Sequence, residues 1–268
     1  FVQGYETHAF AALDIQATWR LPMRKLVVSS WLRDQIAEVV GDQDIVVVPN
    51  GIDRRQFDAA PRELGSPPTV GLSYSPAPVK GTATAFGAIR LARRSIPDLK
   101  VVCYGAGRRA REIPIPDHAA FHRRPSQTEL RDIYASADLW LCASRQEGFA
   151  LPPLEAMACR CPVVVTRCGG PSEFVEDGRN GHFVDVGDAT AMAERIVATL
   201  SDKAAWKTMS NAAYDTAGRF DVEQSSLRFE RAILGVEDSL DAHRDPLATA
   251  TARVGGGNAP SVTTGLGE

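Results

Sequence analysis

RQEGFALPPLEAMACRCPVVVTRCGGPSE, running from Arg145 to Glu173, packs loop, helix and strand into one run of sequence. Ahead of it Leu139 to Ala143 (LWLCA) is an apolar run of buried-strand length. Pro153 stands where a first helical residue belongs, since its missing N–H has no intrahelical partner to lose there. Leu154, Ala156, Met157 and Ala158 continue the helix, and Pro162 to Val165 (PVVV) reads as the next parallel strand after a short crossover. The unit is therefore βαβ. Glu147 lies in the loop before the helix and Glu155 in its first turn. The backbone N–H groups of Phe149 to Leu154 are predicted to lack intrahelical partners and, with the positive end of the helix dipole, to offer a place for a phosphate.

Two carboxylates flanking an anion site make sense if the ligand carries hydroxyls as well as phosphate. A nucleotide sugar has both: carboxylates accept from ribose or hexose hydroxyls while the amides between them hold the diphosphate. Taken singly, a first-turn Glu is favoured by the helix dipole alone, and a loop Glu is ordinarily just solvated. The joint pattern is more specific, because it adds Gly148 in the loop, Pro153 at the helix start and Gly169-Gly170 after the next strand.

Working outward, strand and helix signals alternate on both sides. Arg24 to Ser29 (RKLVVS), a helix from Trp31 to Val40 with Leu32, Ile36, Val39 and Val40 on one face, and Ile45 to Val48 (IVVV) read as the end of one α/β unit, preceded by a strand in FVQGYE. Pro49-Asn50-Gly51 is a turn, and the polar, Pro-containing segment to Pro68 reads as a linker. A second unit opens with the strand TVGLSY at Thr69, followed by a helix from Gly81 to Ile96 and the strand LKVVCY at Leu99 to Tyr104. His118 to Phe121 is a further short strand. Ser126 with Glu129 starts a capped helix that leads into LWLCA. After GGPSEFV come turns at Asp177-Gly178 and Asn180-Gly181, a strand at His182 to Val184, and helices carrying Met192, Ile196 and Leu200, then Asp202 to Ala217 and Val222 to Leu234. This alternation predicts an α/β fold with a Rossmann-like doubly wound parallel sheet.

At 268 residues and 44% apolar content the chain can bury a substantial core. A net charge of −3 gives no electrostatic support for a nucleic-acid partner, and Arg108, Arg109 and Arg111 read as a solvated patch. The five cysteines (Cys103, Cys142, Cys159, Cys161, Cys168) fall in or beside strands and the core helix without zinc spacing, so they read as reduced core thiols, which suits the cytoplasm. No metal site is expected. No apolar run reaches bilayer-spanning length and no signal peptide is visible, which leaves peripheral attachment to a membrane face open. The chain begins at Phe1 in what reads as strand, so upstream sequence is expected to be missing.

The spacing of Glu147 and Glu155 inside EGFALPPLEAMA, followed by PVVV and GGPSE, resembles the donor-binding half of family-4 retaining glycosyltransferases of the GT-B fold. VVPNGID followed by Phe57 is similar to what that family shows on leaving its first domain. The resemblance implies a division into 1–51, the end of an acceptor-side domain; 52–68, a linker; 69–218, the nucleotide-sugar domain; 219–236, a helix crossing back to the first domain; and 237–268, a disordered tail poor in aromatics. It also implies a nucleoside-diphosphate sugar as donor substrate, no cofactor, no protein-bound metal, and a carbohydrate or lipid-linked acceptor in surface polysaccharide or glycolipid synthesis. Glu155 would hold the ribose and Glu147 would face the sugar and its phosphate. The family's acceptor loop and catalytic His belong to the first domain, so this chain is expected to bind donor but to turn over poorly.

Lys80, before Gly81 in VKG, occupies the place of the family's phosphate-binding Lys-Gly and would stabilise charge on the departing diphosphate. The family's Arg a few residues earlier is absent, leaving Ser75 or an Arg from elsewhere to contribute. Likeness to rhamnosyltransferase-like members at FVQGYE suggests a deoxysugar donor. Gly148, Phe149, Ala150 and Leu151 would supply the amide cradle, and Gly169 and Gly170 would permit close backbone approach to the ligand. Glu173 either meets the nucleotide or caps its own short helix. GAGRRA, Gly105 to Ala110, loosely fits a dinucleotide fingerprint, the basis of an NAD-dependent oxidoreductase alternative beside that of a non-catalytic nucleotide-binding module, but lacks the acidic residue about twenty positions on. Gly105 and Gly107 instead read as a tight strand-to-helix turn lining the nucleotide cleft. His122 and His182 read as surface or strand-end residues.

Overall fold

The computed structural model describes residues 1–4, 12–41, 44–107 and 110–236. Tyr5 and Glu6 of FVQGYE, Arg108 and Arg109 of GAGRRA, and the tail from 237 lie outside the described residues. The first unit comprises α1 (Ala12–Trp19), β1 (Lys25–Val27), α2 (Ser30–Val40) and β2 (Ile45–Val47), with β1 and β2 paired in parallel. Of the opening strand signal, Val2 makes a single parallel bridge to Val27. The second unit holds β3 (Thr69–Ser73), α3 (Thr82–Ala92), β4 (Lys100–Gly105), β5 (Ala119–Arg123), α4 (Gln127–Ser136), β6 (Leu139–Cys142), α5 (Leu151–Ala158), β7 (Val163–Thr166), β8 (Gly181–Val184), α6 (Ala189–Ser201) and α7 (Lys203–Ala217). Helix α8 (Val222–Leu234) follows.

The main sheet is all parallel in the order β5-β4-β3-β6-β7-β8. The crossovers run one way from β3 and then restart at its other side with β6, so the order reverses between β3 and β6. A crevice at the carboxyl ends of those two strands is where an open parallel sheet takes its ligand.

Strand alternation divides the core between the two faces. Leu139, Leu141, Val164, Val70 and Leu72 pack with Ala85, Ile89, Met192 and Ile196 of α3 and α6. Trp140, Val163 and Val165 face the other way, onto Tyr134, Leu154, Met157, Ala213 and Ala217 of α4, α5 and α7. Helices begin where side chains satisfy free amides: Ser29 accepts from Leu32 N–H, Ser126 and Glu129 form a full capping box, and Asp188, Asp202 and Asp221 cap α6, α7 and α8.

Buried Asp138 joins the segment before β3 to the sheet. Its carboxylate accepts from Gly65 N–H (3.1 Å) and Thr69 N–H (2.7 Å) and pairs with Arg62, while its carbonyl accepts from the Trp206 indole at 2.7 Å. α8 lies against the first unit: Ile52 bridges Asp221, Ser225 Oγ donates to Pro49 O (2.6 Å), and Ala232 packs with Leu26 and Val48.

Several element limits differ from the sequence reading. The helix read from Gly81 begins at Thr82, because Gly81 is left-handed (φ 62°), and it ends at Ala92. The strand read at 118–121 spans Ala119–Arg123. α5 begins at Leu151, which makes Pro152 and Pro153 its second and third residues and puts Glu155 in the second turn.

Candidate active site at the carboxyl edge of the main sheet

Beyond β3 and β6 the two loops are stitched together. Arg145 N–H donates to Val79 O at 2.7 Å, and Gly81 lies so close to the Ala143 carbonyl that a Cβ there would overlap it. Lys80 ends a short 3₁₀ turn, Pro78–Lys80, ahead of α3, and its Nζ meets Glu147 Oε1 at 2.8 Å. Ser144 Oγ donates to the same oxygen at 2.6 Å.

These loops border a cavity of about 450 Å³ lined by Ser73, Ser75, Lys80, Thr82, Tyr104, Ser144 and Glu147, by Gly148 through Pro153, and by Gln3 and Asn50 of the first unit. Among the described residues lining it, Lys80 is the one cation. Ser75 Oγ accepts from Ala77 N–H (3.3 Å), while Thr82 exchanges hydrogen bonds with the Ser75 backbone.

Gly148, Phe149, Ala150 and Leu151 all line this cavity, and their amides make no hydrogen bond to a described residue. Ala150, the residue before α5, has φ 72° and ψ 74°, a left-handed conformation that costs a non-glycine residue roughly 1–2 kcal/mol. The donor set is smaller than the sequence reading expected, because Pro152 and Pro153 have no N–H. The loop amides without a partner among the described residues therefore run from Gly148 to Leu151 and not from Phe149 to Leu154.

Glu155 does not line the cavity. Its Oε2 accepts from Tyr134 OH at 2.6 Å; Tyr134 OH is 2.7 Å from Tyr104 OH, which accepts from Ser73 Oγ at 3.2 Å. Ser73 and Tyr104 do line it. Burial pushes the Glu155 carboxyl above the usual carboxylate range, opposed by the Tyr134 hydrogen bond. Burial also raises the Tyr104 phenol to about 12 and Tyr134 well above its ordinary value, so both remain protonated donors at neutral pH.

The remaining candidates lie elsewhere. A Cβ on Gly169 (φ 102°) would come within 2.5 Å of the Trp31 ring, and one on Gly170 would meet the Phe149 backbone, so packing against protein accounts for both glycines. Gly105 ends β4 against the Tyr74 carbonyl, Gly107 faces open space, and neither lines the cavity. The described residues between β4 and β5 contain no helix, so among them Gly105 and Gly107 do not lead into the helix N-terminus a dinucleotide site needs. Glu173 neither meets the cavity nor caps its own turn; its Oε1 accepts from Ser30 N–H at 2.6 Å, at the start of α2. His182 pairs with Asp177 at 3.5 Å, and His122 is exposed on β5.

Sequence reasoning passed over Ser73, Tyr104, Thr82, Ser144, Trp140, Gln3 and Asn50, all of which line the cavity. Ser73 and Tyr104 were recoverable as polar residues at the carboxyl ends of adjacent strands. Trp140 was not: its buried Nε1 has no hydrogen-bond partner among the described residues, and only the fold brings it there. The five cysteines are free thiols. Among the described residues no group of three or more His, Cys, Asp or Glu is placed to hold a metal ion, and no helix is long and apolar enough to cross a membrane.

A doubly wound parallel sheet with a polar cavity at its switch point places the chain among α/β proteins whose ligands sit at the carboxyl edge of the sheet. Within that class the chain belongs to the glycosyl transferases group 1 family, whose sequence profile matches residues 53–216. It is similar to the GDP-mannose-dependent alpha-(1-6)-phosphatidylinositol monomannoside mannosyltransferase of Mycolicibacterium smegmatis, with 31% identity over 65% of this chain and 52% of the relative. It is also similar to the D-inositol 3-phosphate glycosyltransferase of an Arthrobacter species, with 33% identity over 63% of this chain and 43% of the relative. The chain thus spans about half the length of these curated relatives. Its fold is of the GT-B type. Anabaena Alr3699/HepE, solved in complex with UDP-glucose, superposes at TM-score 0.73 with 20% identity, covering 86% of this chain and 70% of that one. Sucrose-phosphate synthase from Thermosynechococcus elongatus gives 0.72 at 20% identity, covering 84% and 61%.

Proposed function

We propose that this chain carries the donor site of a retaining glycosyltransferase, which moves a hexosyl or deoxyhexosyl group from a nucleoside diphosphate to a hydroxyl of a carbohydrate or lipid-linked acceptor in surface polysaccharide or glycolipid synthesis. The observation that carries this reading is the meeting at one cavity of Gly148 to Leu151, whose amides have no hydrogen-bond partner among the described residues, with the Lys80–Glu147 pair. The amides and the Lys80 ammonium hold the diphosphate. Their preorganised positive charge stabilises the negative charge that grows on the leaving group as the sugar–phosphate bond breaks. Glu147, beside Lys80 and held by Ser144, faces the sugar, whose oxocarbenium-like form is captured by the acceptor on the face the diphosphate leaves. Glu155, behind the cavity wall and tied to it through Tyr134, Tyr104 and Ser73, is the acid assigned to the ribose.

The names of the relatives support this reading: one is described as GDP-mannose-dependent, and a structural neighbour was solved with UDP-glucose. Calorimetric titration with UDP, GDP, ADP, dTDP and NAD tests it. Saturable binding of at least one nucleoside diphosphate, with none of NAD, is expected; NAD binding without a diphosphate response refutes it.

A further inference from the structure

We propose that Tyr134 is a positioning residue for donor binding: its hydroxyl fixes the Glu155 carboxylate and, through Tyr104, sets the direction in which Ser73 hydrogen-bonds at the cavity wall. The inference rests on the reading of Glu155 as the ribose-binding acid.

The geometry is a proton-counting problem. Each hydroxyl has a single proton. Tyr134 spends its proton on Glu155 Oε2 at 2.6 Å, so in the 2.7 Å contact between phenols Tyr104 is the donor. Tyr104 is then the acceptor for Ser73 at 3.2 Å. The chain Ser73 to Tyr104 to Tyr134 to Glu155 is polarised throughout, and it ends on a carboxylate. Ser73 thereby presents lone pairs to the cavity and accepts from ligand O–H or N–H groups. At the other end Glu155 keeps Oε1 without a hydrogen-bond partner among the described residues, and in the ribose reading this oxygen is the acceptor.

The two rings have little freedom to reorient. Tyr134 is fully buried, edge-on to Trp140 at 4.6 Å and to Phe57 at 5.8 Å, while Tyr104 lies flat against Trp140 at 5.8 Å. Tyr134 is on α4, Tyr104 on β4 and Glu155 on α5, so three elements meet in one relay. The aromatic packing holds the hydroxyls in place before any ligand arrives, which is the condition for an orienting role.

The surroundings of Glu155 leave the phenols as its main polar influence. Burial raises its carboxyl and the Tyr134 hydrogen bond lowers it. α4 also contributes Arg131, and the segment before β3 contributes Arg54 and Asp58; all three act on the field of Cys159, at the end of α5. β6 offers the Cys142 thiol, and α7 packs with Ala213 and Ala217 in the shared core. A ribose hydroxyl donates to the ionised acid, so affinity is full above the raised carboxyl value and falls as pH drops through it. Removing the Tyr134 hydroxyl takes away the lowering influence and moves that acid limb to higher pH.

The experiment titrates the intact chain with UDP and GDP and with their 2′,3′-dideoxy counterparts, from mildly acid to neutral pH, for the parent, Tyr134→Phe, Tyr104→Phe and Glu155→Gln. The parent is expected to prefer the ribonucleotide roughly tenfold or more, as a hydrogen bond to a charged group does, and Glu155→Gln to lose that preference. Tyr134→Phe, which keeps the ring, is expected to lose most of the preference at mildly acid pH and to shift the acid limb upward. Tyr104→Phe shifts it the same way by less, and decides the matter if Tyr134→Phe does not fold. A parent that binds both nucleotides alike overturns the ribose reading of Glu155. A parent and Glu155→Gln that behave as expected, with Phe variants that keep the parental preference and limb, overturn the relay alone.

Discussion

Replacing Lys80 by Met keeps most of the aliphatic stem and removes one positive charge, and the structure separates what this does to folding from what it does to binding. The Lys80 side chain is 45% exposed and its one ion pair is with Glu147, itself held by Ser144. An ion pair with an exposed member contributes about 0–1 kcal/mol. For a chain of this size that corresponds to a fall in Tm of no more than about 4 °C. Binding responds on another scale. Lys80 is the one cation among the described residues lining the cavity, so under the proposed function the diphosphate would lose the charged donor that lining offers. A hydrogen bond to a charged group is worth about 1.5–3 kcal/mol, or roughly tenfold to 150-fold in Kd. Glu147→Gln acts in the opposite direction: it frees Lys80 and removes a negative charge from beside the phosphates, so UDP and GDP bind several-fold more tightly while the sugar portion of a nucleotide sugar contributes less. Thermal melts and calorimetry on the parent and both variants give all these quantities. Unchanged diphosphate affinity in Lys80→Met, or a collapse of Tm out of proportion to an exposed pair, refutes the reasoning.

Three other perturbations follow from the same structure. Glu155 has a folded-state carboxyl value raised above 4.5, so its ionisation works against folding as pH rises through that window, and the penalty is absent below it. Glu155→Gln is therefore expected to melt above the parent at neutral pH and to converge with it in acid, as scanning calorimetry across pH would show. Asp138→Ala strips partners from Gly65 N–H, Thr69 N–H and the Arg62 guanidinium at a site 1% exposed, and is expected to cost about 3–5 kcal/mol in urea unfolding. Gly169→Ala drives a methyl group into the Trp31 ring at a backbone angle that disfavours it, so it is expected to lower stability by roughly 1–3 kcal/mol and to raise exposure of Trp31, read by tryptophan fluorescence.

The layering of the fold was legible because periodicity reports it directly. LWLCA and PVVV are apolar at every position, and in the structure β6 and β7 are covered on both faces, Leu139 and Leu141 toward α3 and α6, Trp140 toward α4 and α5. The capping box at Ser126 was equally readable, since it depends on residues three apart. Element limits fared worse where a backbone angle decided them. Gly81 looks like a helical residue in the apolar pattern, yet its left-handed conformation makes it the boundary between the Lys80 turn and α3. The role of Glu173 was out of reach for another reason: its partner, Ser30 N–H, is 143 residues away, and only the packing of the two units brings them together.

The site divides along the same line between local and long-range information. The amide cradle is a property of one loop, and even its correction was written in the sequence: Pro152 and Pro153 carry no N–H, so a count of donors residue by residue ends at Leu151. That correction changes the chemistry expected. Under the proposed function, four amides spread over a left-handed turn at Ala150 would wrap an anion, whereas donors along a helix start would line up behind it. The ribose side of the site is a different matter. A first-turn Glu155 would aim its carboxylate along the same direction as the amides, but in the second turn of α5 it meets Tyr134 of α4, and its link to the cavity runs through two phenols and a serine on β3. The helix starts two residues earlier than the sequence suggested, an axial offset of about 3 Å. The offset leaves the acid's placement dependent on Tyr134, so a substitution at that fully buried phenol is expected to weaken the ribonucleotide preference at mildly acid pH, short of the full loss expected for the acid itself.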